Sequence, residues 1–203
     1  GNLAEAEAIL REALDIYRNT LPDGHWIMAT GLNNLAGLLY SQGKLAEAEP
    51  LFREALKIDR ESLPRGHPNI ASDLNNLASL LRAQGRLVET EVLLRELYDL
   101  APRVQLDPRR AALYMSGYGV CMAKLGKLRE AEEPLLEAYR RLGSAGLANH
   151  ERTREVIYAL ARVCEHTNRP EEAAKWRAEL ASLVAATQHT TEPISTTTPS
   201  SSR

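Results

Sequence analysis

The sequence predicts an all-α solenoid of antiparallel helix pairs, and three observations lead there. Turn residues recur at near-constant spacing: Gly1, Gly43, Gly85, Gly126 and Asn168 lie 42, 42, 41 and 42 residues apart. A period of that size marks a stack of supersecondary units. Apolar residues flank the turns at helical spacing, with Leu32, Leu35, Ala36 and Leu39 before Gly43 and Leu45, Ala48, Leu51, Phe52, Ala55 and Leu56 after it. No stretch alternates with period two, so no strand competes.

Helices are expected near residues 2–20, 26–41, 44–62, 67–83, 86–100, 108–124, 127–142, 150–166 and 170–186. The first carries a Leu3, Ala6 and Leu10 stripe. Gly1 holds the place of a turn inside a unit, so we expect a chain truncated at its N-terminus, with that stripe partly uncovered. The second and fourth helices share a motif: Leu32-Asn33-Asn34-Leu35-Ala36 recurs as Leu74-Asn75-Asn76-Leu77-Ala78. The third and seventh share another, Ala46-Glu47-Ala48-Glu49-Pro50-Leu51 against Arg129-Glu130-Ala131-Glu132-Glu133-Pro134-Leu135. Ala36, Ala78, Gly119 and Ala161 hold one register of the first helices, and Ala6, Ala48, Ala131 and Ala173 one register of the second, where close helix approach needs small residues. The fifth helix has Thr90 at that register, which predicts a looser layer. The sixth replaces the Asn-Asn-Leu-Ala run with Ser116-Gly117-Tyr118-Gly119. In the ninth, Arg177 takes the register of apolar Phe52 and Leu94, as a polar cap would. Breakers separate the units at Leu21-Pro22-Asp23-Gly24, Leu63-Pro64-Arg65-Gly66 and Leu106-Asp107-Pro108. Within units the turn residue must be left-handed, which glycine adopts freely and Asn168 tolerates next best. The array is thus read as residues 1–186: a half-unit at 1–20 and units at about 24–62, 66–100, 107–142 and 149–186. Residues 187–203, ten of seventeen being Ser or Thr, form an expected disordered tail, too poor in apolar surface to offset its ordering entropy.

Composition excludes several classes. Lys plus Arg is 25 and Asp plus Glu 27, a net charge of −2, which argues against a nucleic-acid partner. Apolar runs reach about half a dozen residues, far short of the ~20 of a membrane helix. There is no basic-then-apolar signal segment, and a cytoplasmic location is expected. Cys121 and Cys164 sit amid apolar neighbours in the first helices of adjacent units and read as buried thiols. His25, His67 and His150 recur 18 residues before their turn residues. Successive units are ~8–10 Å apart, too far to share a metal, so these histidines read as helix-start residues. Glu7 and Arg11, Glu49 and Arg53, and Glu91 and Arg95 have the i, i+4 order of a solvated helix face. Gly117-Tyr118-Gly119 is a fragment of a phosphate-loop pattern without its strand. No catalytic residue, metal site or cofactor is expected, and the chain is read as not an enzyme.

Asn33, Asn34, Asn75 and Asn76 are the candidate binding residues. Asparagine is a mediocre helix former, so adjacent pairs in mid-helix are not there for propensity. With Leu32 and Leu35 inward, the pairs fall on the side away from the partner helix. Carboxamides there offer donors and acceptors to the backbone of an extended peptide. Tyr40, Ser79 and Arg82, and in the last unit Tyr158, Arg162 and Glu165, lie one helical turn away and would tune selectivity.

The Asn-Asn-Leu-Ala run, Gln42-Gly43, Glu47-Ala48-Glu49-Pro50-Leu51, Arg53-Glu54-Ala55-Leu56, Gly24-His25 and Gly66-His67-Pro68 together resemble the tetratricopeptide repeat in its longer, kinesin-light-chain type. The resemblance covers about residues 1–183 and weakens after residue 90. It implies a right-handed superhelix acting as a scaffold or adaptor, with a peptide or protein partner on its concave face. The chaperone-tail-binding subset needs Lys where this chain has Asn33 and Ser116, so such tails are not expected ligands. Arg152 to Leu180, with Pro170-Glu171-Glu172-Ala173-Ala174-Lys175-Trp176-Arg177, also resembles the end of repeat regions fused to bacterial Ser/Thr protein kinases. That implies, as an alternative, a docking region with an intramolecular partner domain upstream of residue 1.

Overall fold

The computed structural model describes residues 2–104 and 106–189. Among them run nine α-helices and no strand: α1 (Asn2–Thr20), α2 (Trp26–Ser41), α3 (Leu45–Ser62), α4 (Pro68–Ala83), α5 (Leu87–Leu100), α6 (Pro108–Lys124), α7 (Leu128–Ser144), α8 (Glu151–His166) and α9 (Pro170–His189), with a short 3-10 turn at Ala101–Arg103. α7 extends two residues and α9 three residues beyond the ends read from the sequence. The rest of the expected tail, 190–203, lies outside the described residues.

Helices α2/α3, α4/α5, α6/α7 and α8/α9 pack as pairs, and each pair stacks on the next through α3·α4, α5·α6 and α7·α8. α2 also touches α4, and α6 packs on α8. The first helices therefore form the inner layer of the array and the second helices the outer one. The leucine stripes supply the core: Leu32, Leu39, Leu74, Leu77, Leu135 and Leu160 are fully buried, each contributing about 1.5–3 kcal/mol. The small-residue register is sterically required. A Cβ on Gly119 would stand 3.0 Å from the Leu135 side chain and backbone nitrogen. Thr90, which breaks that register, is fully buried, and its hydroxyl donates back to the Arg86 carbonyl at 2.9 Å. On α1, Leu3, Ile9 and Ile16 are exposed, while Leu14 is buried against the array.

The recurrent histidines prove to be N-caps. The Nδ1 atoms of His25, His67 and His150 accept from the backbone N–H two residues on, at 3.2, 3.2 and 3.0 Å. Asp107 does the same for α6. The turns are left-handed as read: φ is 76° at Gly43, 77° at Gly85, 80° at Gly126 and 59° at Asn168. The residue after each turn closes the helix end, its N–H bonding the carbonyl five residues back: Lys44 to Leu39, Arg86 to Leu81, Lys127 to Met122 and Arg169 to Cys164, at 2.8–3.0 Å.

That same residue is basic in every unit, and its side chain reaches the preceding unit. Lys44 pairs with Glu7 at 2.9 Å, Arg86 with Glu49 at 2.7 Å, Lys127 with Glu91 at 2.7 Å and Arg169 with Glu132 at 2.6 Å. The glutamates are mostly buried, with side-chain exposures of 16, 19, 8 and 31%. The sequence reading of a merely solvated face is corrected here. The i, i+4 arginines Arg11, Arg53 and Arg95 are present, but the glutamates they touch are staples between units. Bonds from Lys44 and Arg11 hold Glu7 at about 2. Burial pushes Glu49 the other way, but bonds from Gln84, Arg86 and Arg53 prevail and hold it at about 2.

Two outcomes follow for thermal unfolding. Gly85→Ala meets no atom within 4 Å, so its cost is backbone strain alone, about 1–2 kcal/mol. Glu91→Ala removes a carboxylate that is 8% exposed and leaves the half-exposed Lys127 to water, so it should lower the melting temperature measurably, whereas Asp15→Ala, which removes the exposed Arg18–Asp15 pair, changes stability by less than about 0.5 kcal/mol.

Candidate functional site

The inner layer brings the predicted residues together in part. Asn33 and Asn76 meet directly, the Asn76 Nδ2 donating to the Asn33 Oδ1 at 3.1 Å. These two amides tie α2 to α4, a bond along the stack that the sequence reading assigned to a ligand. Asn34 and Tyr40 are exposed on α2. Asn75, Ser79 and Arg82 line a shallow recess on α4 with Leu94, Leu113, Gly117 and Arg152. Glycine at 117 leaves room there, since a Cβ would stand 3.2 Å from Leu94. Among the described residues Arg82 has no carboxylate within 4.0 Å. Arg152, across α6, pairs with Glu155. Burial pushes the Arg152 guanidinium downward against the pull of Glu155, and Arg82 adds to the push. In the last unit Arg162 bonds the Ala123 carbonyl at 3.4 Å, Glu165 pairs with Arg177, and Tyr158 stays exposed.

A second recess was not read from the sequence. It measures about 140 Å³ and is lined by Thr30 and Asn33 of α2, Asp59 of α3, and Asn69, Ser72 and Asp73 of α4. Asp59 and Asp73 are 2% and 3% exposed, and Asp59 Oδ1 and Asp73 Oδ2 have no donor. Burial pushes Asp73 up to about 8, with the Asp59 carboxyl beside it adding to the shift. Burial raises Asp59 too, opposed by hydrogen bonds from Asp73 and Asn69 and by His67. The two carboxyls thus share a proton at neutral pH. The signal was available: Asp59 continues the Phe52, Ala55 and Leu56 stripe, and Asp73 sits between Ile70 and Leu74.

Larger grooves lie elsewhere. One of about 610 Å³ on the outer side holds Arg60, Arg65, Arg95 and Arg103 beside Val92 and Leu100. Another, of about 520 Å³, lies between α8 and α9 and includes Tyr158, Ala161, Arg162, Glu165 and Arg177. These five repeat Asn75, Ala78, Ser79, Arg82 and Leu94, the recess against which α6 stacks. Cys121 and Cys164 are buried free thiols that burial pushes up. Among the described residues no three His, Cys, Asp or Glu converge on a metal position, and no helix is long and apolar enough to cross a membrane.

A stack of helix pairs with a polar, amide-rich inner layer over a leucine core defines a helical-repeat protein of the kind that presents a surface to other proteins. The chain belongs to the tetratricopeptide repeat family, whose sequence pattern matches residues 1–61, 27–103 and 69–144. Such arrays generally serve as scaffolds for protein–protein interaction. The fold resembles the crystal structure of a putative kinesin light chain with nearly identical TPR-like repeats from Podosopora anserina, at 21% identity and a TM-score of 0.74 over 93% of this chain and 90% of that one. It also resembles BtubC (BKLC) from P. vanneervenii, at 19% identity and a TM-score of 0.74 over 100% and 81%. The apo form of RapI gives a TM-score of 0.77 at 13% identity, over 93% and 66%. Curated protein sequences give no match.

The aspartate pair sets a pH dependence. Its proton is bound more tightly folded than unfolded, so the pair's stability is complete below about pH 4 and is lost as pH rises toward about 8. Glu7 and Glu49 act oppositely, losing their contribution as pH falls from about 4.5 toward 2. Thermal melts should show Asp73→Asn more stable than wild type by about 1–3 kcal/mol at pH 8, because the amide gives Asp59 a donor, with a much smaller difference at pH 5.

Proposed function

We propose that the inner face of α2, α4, α6 and α8 binds an extended or short helical segment of a protein partner, and that the chain acts as a non-catalytic scaffold or adaptor in the cytoplasm. The observation that carries this is the polarity of the inner layer. Helices with leucine on their packed faces present Asn34, Asn75, Ser79 and Arg82 on the inner one, with Arg82 lacking an acid partner among the described residues. In this reading Asn34 and Asn76 grip the peptide backbone, and Asn33, Asn75, Tyr40, Ser79 and Arg82 are secondary contacts. The Asn33–Asn76 bond supports it by holding the Asn76 amide in a fixed pose, so less ordering entropy opposes binding. Carboxamides recognise backbone with little regard for side chains, so selectivity falls to the charged and aromatic groups around them.

The test is an affinity capture to obtain a partner, followed by calorimetric titration. Asn34→Ala combined with Asn76→Ala should weaken binding about 5- to 150-fold, from two hydrogen bonds of ~0.5–1.5 kcal/mol each. Losing the Asn76–Asn33 bond should lower stability by about 0.5–1.5 kcal/mol and leave the array folded. Unchanged affinity would move the recognition surface to the outer arginine groove or the groove between α8 and α9.

A further inference from the structure

The Asp59–Asp73 recess is not required by the fold. The same two registers hold Tyr17 and Gly31 one unit earlier, Ala101 and Tyr114 one unit later, and Leu142 and Val156 in the last. At the first of these the Tyr17 ring packs against Gly31, 3.3 Å from where a Cβ would stand. Three of the four interfaces thus solve the packing problem without acids, and the fourth buries two carboxyls at the edge of an inner-layer recess.

Its wall carries more acceptor than donor groups. The Thr30 hydroxyl donates to the Trp26 carbonyl at 3.3 Å and the Ser72 hydroxyl to the Pro68 carbonyl at 3.1 Å. Their hydrogens are spent, and lone pairs remain, although Ser72 also accepts from Tyr114. The Asn69 side chain lies beside Asp59 and favours its charged form, and the Asn33 oxygen already accepts from Asn76. The Asn33 and Asn69 amides keep N–H groups of their own, but the wall atoms left both buried and unpaired are two carboxyl oxygens, Asp59 Oδ1 and Asp73 Oδ2. A group with donors only and a positive charge complements it, and among side chains that describes lysine and arginine. A hard divalent cation fits less well. It calls for six to eight oxygens, and here two aspartates are joined by already engaged hydroxyls and amides.

We propose that this recess receives the lysine or arginine head group of a bound protein segment. The proposal rests on the inner-face reading above and names one feature of its partner. The arriving cation replaces the shared proton, which leaves to solvent, so seating one basic side chain releases up to one proton. The groups that act on the exchange are the two aspartates themselves and His67 at the start of α4; α2 contributes Thr30 and Asn33, which do not titrate.

Two measurements test it. The first uses acetyl-arginine methylamide and its uncharged counterpart acetyl-citrulline methylamide as probes of the recess at pH 7, read by amide chemical shifts of residues 30–33 and 69–73. The arginine probe should shift these signals in wild type and at least fivefold less in Asp73→Asn, and the citrulline probe should not shift them. The second pans random displayed peptides on wild type, on Asp73→Asn and on Asn34→Ala with Asn76→Ala. Wild-type pools should be enriched in Lys or Arg at one position. Replacing that residue by glutamine should cost at least tenfold on wild type and under twofold on Asp73→Asn, with about one proton released in calorimetry across buffers of different ionisation enthalpy. Inner-face peptides without a basic preference, or a probe that acts equally on wild type and Asp73→Asn, overturn the proposal and leave the aspartates a proton-sharing core pair. Loss of all inner-face peptides with a positive probe response overturns the peptide reading and keeps the recess.

Discussion

Every helix pair in this chain has more apolar surface than it can cover by itself, and the array exists because each pair hands the remainder to the next. That hand-over requires one residue per unit in the left-handed region. Gly43, Gly85, Gly126 and Asn168 reverse the chain there, and the hydrogen bond closing each helix end fixes the backbone of the residue that follows. Because that residue is always Lys or Arg, the turn also aims a cation at the unit behind it. One local conformation thereby sets both the fold of a unit and its attachment to its predecessor.

The glutamate–cation staples work at the edge of the core. Each glutamate emerges from the outer helix close to where the next turn passes, and its burial excludes much of the water that would weaken the pair. Glu91 is the most enclosed of the four and Glu132 the least. The inner layer uses a different device for the same purpose, the neutral Asn33–Asn76 bond between α2 and α4. Charge holds the outer side of the interface between α2/α3 and α4/α5, through Arg86 and Glu49, and amides hold the inner side.

Most of the fold was legible in the sequence because repetition multiplies a weak local signal. One glycine between two apolar stripes is ambiguous, but five turn residues at a near-constant interval are not. The histidines were located as helix-start residues by the same logic, and their capping bonds follow from an acceptor nitrogen placed where backbone donors lack partners. The staples were read only as far as their i, i+4 halves. Lys44 and Glu7 are close because units stack, and no spacing rule within a helix connects residues 37 apart. The asparagines were placed on the inner layer from helical phase, but phase could not show that Asn33 would reach diagonally to Asn76. The aspartate pair was missed for a related reason. Asp59 and Asp73 fall in line with apolar residues, and only their meeting across α3 and α4 makes them a pair.

That pair also bears on how the array comes apart. In a linear stack, the free energy of the whole is close to a sum over units and the seams between them, and the weakest seam decides where the stack divides. The seam between α3 and α4 holds the aspartate pair, and its strength is tied to the proton they share. In mildly acidic solution it is sealed like the others, and the chain should melt as one body. In alkaline solution two negative charges face each other across it, which makes it the place where a block from α1 to α3 should part first from α4 to α9. A basic residue seated in the recess would bolt the two blocks together, so an encounter with a partner would be felt as rigidity along the length of the array.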